Sequence, residues 1–103
     1  MASGILGQSN PAASTDTTVY TVPAATTASC TVNIVNNGSG AVAINLALAA
    51  GATPAASEYV EQGTIIPAGG VYQGGVFVMQ ATKRVVVNCG NASCAVSVYG
   101  FEQ

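Results

Sequence analysis

The chain has 103 residues, a length that holds one domain and one hydrophobic core. Its charged residues are Asp16, Glu58, Glu61, Lys83, Arg84 and Glu102, which is 6% of the chain against roughly 25% in an ordinary soluble domain, and the net charge at pH 7 is −2. Half of the residues are hydrophobic, unlike a disordered chain; two basic residues release too few counterions for nucleic-acid binding; and the weakly polar stretch 41–50 falls far short of the ~20 residues of a membrane helix.

From the start of the chain, residues 1–16 are polar, contain Pro11, and read as an extended N-terminal arm with Ile5 and Leu6 as its apolar tip. Residues 17–103 then read as a single domain. The hydrophobic rhythm there is close to two, broken by Gly, Pro, Asn or Ser about every eight to twelve residues, the pattern of an antiparallel β-sandwich of jelly-roll or Ig-like type. About seven strands are expected. The first covers 17–22 and stops at Pro23. The second, 28–36, alternates Cys30, Val32 and Ile34 with Thr31, Asn33 and Val35.

Asn37-Gly-Ser-Gly is a turn, so 41–49 is expected to return as the hairpin partner of the second strand, with Val42, Ile44, Leu46 and Leu48 inward and Ala43, Asn45 and Ala47 outward. A fourth strand over 58–66 mixes its faces, which fits an edge strand or a bulge near Gly63. A fifth over 71–79 groups Tyr72, Val76 and Val78 and is interrupted by Gly74-Gly75. The last two, 83–89 and 94–101, flank the loop Gly90-Asn-Ala-Ser and are expected to form a hairpin with Cys89 opposite Cys94, Val87 opposite Val96 and Val85 opposite Val98, all six in the core.

Chemistry lacks parts. There is no histidine to serve as a near-neutral base or to complete a nucleophilic couple, and Glu58 and Glu61 point to opposite faces of a strand. Three cysteines without histidine cannot complete a four-ligand metal site, and four residues between Cys89 and Cys94 do not match a redox motif. Cys30, Cys89 and Cys94 are expected to be free thiols; a Cys89–Cys94 bond in the mass spectrum of unreduced protein would overturn that. No catalytic residue, cofactor or metal is expected, and the protein reads as non-enzymatic.

Several segments together resemble the small virion structural proteins of tailed bacteriophages, whether decoration proteins or tail-associated ones. They are Gly4-Ile-Leu-Gly-Gln-Ser-Asn-Pro-Ala-Ala, Val19-Tyr-Thr-Val-Pro-Ala, Val32-Asn-Ile-Val-Asn-Asn, Ala52-Thr-Pro-Ala, Lys83-Arg-Val-Val-Val and Val96-Ser-Val-Tyr-Gly-Phe-Glu. The resemblance implies a β-sandwich structural protein of the particle, made in the host cytoplasm and located in the virion. Its partners are further copies of itself, with a trimer as one form, and other virion proteins such as major capsid or tail proteins. A capsid decoration or cement protein is favoured, with a tail, neck, baseplate or fibre component as the alternative. A non-viral adhesion module is a further one, although the start of the chain lacks a secretory signal. No nucleic-acid or membrane partner is expected. Candidate assembly contacts are Ile5, Leu6, Thr31, Asn33, Ala43, Asn45, Tyr99 and Phe101. If the arm anchors the protein, deleting residues 1–10 leaves folding intact and abolishes incorporation.

Overall fold

Alternating side chains of β-branched type favour extended backbone, and a sheet with one apolar face must bury it against another layer. The computed structural model describes residues 3–103, and these form nine strands. They are β1 (Ser3–Ser9), β2 (Thr17–Thr21), β3 (Ala28–Asn36), β4 (Val42–Ala49), β5 (Tyr59–Ile66), β6 (Val71–Gln73), β7 (Phe77–Met79), β8 (Arg84–Cys89) and β9 (Cys94–Glu102), with one turn of 3-10 helix at Ala56–Glu58. One antiparallel sheet has the order β1-β9-β3-β6, with β7 also on β3; the other has the order β2-β8-β4-β5.

The two sheets share one core. Cys30, Val32 and Ile34 of β3 and Cys94, Val96 and Val98 of β9 face Val42, Ile44 and Leu46 of β4 and Val85, Val87 and Cys89 of β8. Each fully buried aliphatic side chain contributes about 1.5–3 kcal/mol relative to exposure, so this interior is the main source of stability. Two tyrosine–glutamate hydrogen bonds link the sheets. Tyr20 of β2 donates to Glu102 of β9 at 2.5 Å, and Tyr72 of β6 donates to Glu61 of β5 at 3.2 Å. Burial first, and the neighbouring carboxylate second, push both phenol groups above their ordinary value, so each stays a protonated donor.

Three expectations are corrected. First, neither predicted hairpin forms. β3 pairs with β9, β6 and β7, while β4 pairs with β5 and β8, so the 37–41 turn carries the chain from one sheet to the other. The 90–93 loop does the same for β8 and β9. The expected side-chain parity agrees with the structure, because strands that face each other across a core show the same inward alternation as strands that lie side by side. Cys89 and Cys94 therefore meet between layers, and the thiol of Cys89 is pushed up to about 12 by burial and by its contact with Cys94. All three cysteines are free and buried.

Second, residues 3–9 of the expected arm are a strand. β1 pairs with β9 from Ser3 opposite Phe101 to Ser9 opposite Val96, with a bulge that turns Leu6 onto the core. Asn10 then donates to the carbonyls of Ala92 and Cys94 at 3.1 and 2.6 Å, and Pro11 is buried. Met1 and Ala2 of the same expected arm lie outside the described residues. Deletion of residues 1–10 is thus expected to lower stability by about 3 kcal/mol, through lost ladder bonds and the space left by Leu6, rather than to leave folding intact. Thermal unfolding of the truncated chain checks this; an unchanged midpoint would restore the arm.

Third, the single strand expected over 71–79 is two. Gly74, whose amide donates to Val32 O at 3.0 Å, and Gly75 interrupt the ladder. The alternation slips there: Tyr72, Phe77 and Met79 point inward, while Val76 and Val78 are exposed. The edge-strand reading of 58–66 agrees with the structure over 59–66, since β5 is the last strand of its sheet and the ladder shifts register at Gly63, which has φ +74°. Glu58, expected on that strand, instead ends the 3-10 turn before it.

Candidate assembly surface

Among the described residues no pocket opens on the surface, and the molecule's most distinctive exposed features are its two broad sheet faces. The outer face of the five-stranded sheet is built in rows across the strands. Ser3, Phe101, Ser29 and Val78 make one row; Ile5, Tyr99 and Thr31 the next; Gln8, Ser97, Asn33 and Gln73 a third; Ala95, Val35 and Val71 a fourth. Strand alternation dictates this set, because the residues between them are committed to the core. Gln8 donates to Ser97 Oγ at 3.3 Å, and Gln73 donates to the Tyr99 hydroxyl at 2.5 Å, which orders part of the polar centre.

Apolar groups flank that centre. Ile5 is 60% exposed on the β1 edge, and Val71 and Val78 are 58% and 71% exposed on the β6–β7 edge, with Phe101 exposed between them. Exposed side chains of this size cost water contact with nothing returned unless something covers them.

None of the six charged residues lies on this face. Glu102 pairs with core residue Ala28 and takes the Tyr20 hydroxyl, while Glu61 accepts from Thr64 at 2.7 Å and from Tyr72. The others lie in or beside the four-stranded sheet: Arg84 on β8, Asp16 accepting from Asn88 at 3.0 Å, and Lys83 3.8 Å from Glu58. Glu58 also accepts from the amides of Ala55 at 2.8 Å and Ala50 at 3.0 Å, closing the loop that follows β4. These bonds, Ala55's foremost, hold the Glu58 carboxyl below its ordinary value. A lowered folded value means that its stabilising contribution is complete above the unfolded value, near 4.5, and is lost as pH falls through the folded one. Glu58→Gln is accordingly expected to flatten the acid limb of the stability profile, read as thermal midpoint against pH; an identical acid limb in both proteins would contradict it.

The outer face of the four-stranded sheet is different in kind. By parity Ala47 and Val86 point away from the core, yet both are buried, lying side by side in a row between Thr18 and Tyr59. Asn45 is occupied locally, accepting from Gly63 N at 2.8 Å to hold the bulge of β5.

The predicted contact residues therefore divide. Ile5, Thr31, Asn33, Tyr99 and Phe101 come together on the outer face of the five-stranded sheet. Ala43 and Asn45 stand on the opposite side of the molecule, because β3 and β4 are in different sheets, and Leu6 packs against the core. Sequence reasoning missed Val71, Val76 and Val78. A signal was available in the larger pair Phe77 and Met79, which claims the inward positions after the glycines and leaves Val76 and Val78 outside, and in Tyr72, whose inward position leaves its neighbour Val71 outside.

Comparison with family models, with curated proteins and with solved structures finds no match to this chain.

Proposed function

We propose that this chain is a non-enzymatic structural protein of a tailed-phage virion, with decoration of the outer capsid surface favoured over a place in the tail, neck, baseplate or fibre. The observation that carries the reading is the charge-free outer face of the five-stranded sheet with its exposed Ile5, Val71, Val78 and Phe101, which suits burial against protein neighbours. Interfaces are depleted of charge at their centres, and a charge-free face can be covered without stranding an ion.

We further infer a jelly roll. The strand order β1-β9-β3-β6 over β2-β8-β4-β5, with β6 and β7 together occupying one strand position, matches two interlocked Greek keys, and viral capsid domains are among the users of that fold. That link is analogy of fold, and the resemblance of the sequence segments to small virion proteins supports it independently. In this reading copies associate with one another and with major capsid or tail proteins, and the buried thiols contribute packing.

Copy number tests the proposal. Gel densitometry of purified particles is expected to find hundreds of copies for a decoration protein. A few copies would move the protein to the tail or neck, and absence from particles would refute a virion role.

A further inference from the structure

From the geometry we infer that the outer face of the five-stranded sheet is a self-association surface, which a second copy of this chain covers face to face about a two-fold axis. The inference deepens the assembly reading above and rests on it only for the particle context.

Three features select a second copy as the occupant. The first is charge. With every charged side chain placed elsewhere, the face offers no electrostatic recognition to an acidic, basic or nucleic-acid partner, and two copies brought together bury no ion and meet no like-charge pair. The second is hydrogen-bonding capacity. The polar groups there are the hydroxyls of Ser3, Ser29, Thr31, Ser97 and Tyr99 and the amides of Gln8, Asn33 and Gln73, each able both to donate and to accept. A two-fold contact sets a patch against itself, and only groups with both capacities pair with their own kind.

The third is area. Four strand positions about 4.8 Å apart, with strands up to nine residues long at about 3.4 Å per residue, give a face of roughly 550–600 Å². Two copies then bury about 1,100–1,200 Å², at the lower bound for a specific protein–protein contact. The apolar groups also match: with the axis along the strands, the β1 edge carrying Ile5 lies over the partner's β6–β7 edge carrying Val71 and Val78.

The test uses the full chain in sedimentation equilibrium over a concentration series, with Thr31→Glu and Val78→Glu on the face and Ala43→Glu on the other sheet as control. Val78 is so exposed that its variant keeps the test valid should Thr31→Glu fail to fold, as thermal unfolding will show. Wild type is expected to form dimers. Each face variant should weaken dimerisation roughly a hundredfold, since the symmetry doubles every introduced charge, and Ala43→Glu should leave it unchanged. A wild type that stays monomeric or forms trimers overturns the inference, and so does equal disruption by Ala43→Glu.

Particle incorporation separates the two proposals. A monomeric wild type that enters particles, while the face variants do not, assigns the face to another virion protein and leaves the structural role standing. A dimer absent from particles upholds the face and refutes the virion role.

Discussion

Replacing Asn36 by alanine is expected to destabilise the protein by about 4 kcal/mol, a large share of the 5–15 kcal/mol typical of a domain. Asn36 is the buried polar residue among the described residues of the core region, and every polar atom of its side chain is used. Its Nδ2 donates to the carbonyls of Gly40 at 2.8 Å, Ile66 at 3.0 Å and Pro67 at 3.2 Å, and its Oδ1 accepts from Gly38 N at 3.0 Å. Its backbone joins the same region, since Asn36 N donates to Gly70 O and Gly69 N donates to Asn36 O. One side chain thus ties the β3–β4 crossing to the β5–β6 crossing. Alanine leaves these carbonyls and the Gly38 amide without that partner, each at about 1–3 kcal/mol if water does not reach it.

Thermal unfolding reads the effect as a midpoint lowered by roughly 15 °C or more. The variant Asn36→Asp separates hydrogen bonding from packing. It keeps the shape of the side chain but sets a carboxylate against carbonyl oxygens, so the folded value of the introduced carboxyl lies above the unfolded ~3.9. A raised folded value contributes stability that is complete below the unfolded one and is lost as pH rises through the folded one. Asn36→Asp should therefore approach wild type in acid and fall away towards neutral pH. A flat difference across pH would show that the donors do not matter.

Gly100→Ala is expected to cost about 4 kcal/mol or to prevent folding, for two separate reasons. Gly100 has φ +153°, a backbone state that side chains disfavour, and a Cβ placed there meets Ser29 O at 2.0 Å and Cys30 Cα at 2.8 Å. Both obstacles are backbone atoms of the neighbouring central strand, so no rotamer change relieves them. Gly4, opposite Gly100 on β1, has φ +100° but open space where its Cβ would stand. Gly4→Ala should accordingly cost only about 1 kcal/mol, the backbone part alone. Equal midpoints for the two variants in thermal unfolding would contradict the steric argument.

These two positions mark the limit of sequence reading. Gly100 stands in the run Val96-Ser-Val-Tyr-Gly-Phe, where alternation alone places it on a strand without saying whose backbone lies against it. Asn36 ends the second predicted strand just before a turn, and nothing near it in sequence names Ile66 or Pro67 as its partners. The five contact residues gathered on one face are a similar case. The outward parity of Thr31, Asn33, Tyr99 and Phe101 was legible, whereas Ile5 was expected in an arm and gains its face only by pairing with Tyr99. Ala43 and Asn45 share that outward parity yet stand on the other side of the molecule.

What the sequence determined by itself is the all-β class of the fold and the inward set of side chains on β3, β4, β8 and β9. A period of two in those strands leaves one assignment of apolar residues to the core, and the shortage of charge is visible before any fold is known. Which strands share a sheet was decided only by the tertiary structure. A short polar turn can fold a chain back beside itself or carry it over the core to the other layer, and local alternation is identical in both cases. The choice rests on long-range ladders: β9 entering between β1 and β3, and β8 entering between β2 and β4. Those pairings also convert the first segment from an expected arm into an edge strand and bring Ile5, Phe101, Val71 and Val78 onto one uncharged face.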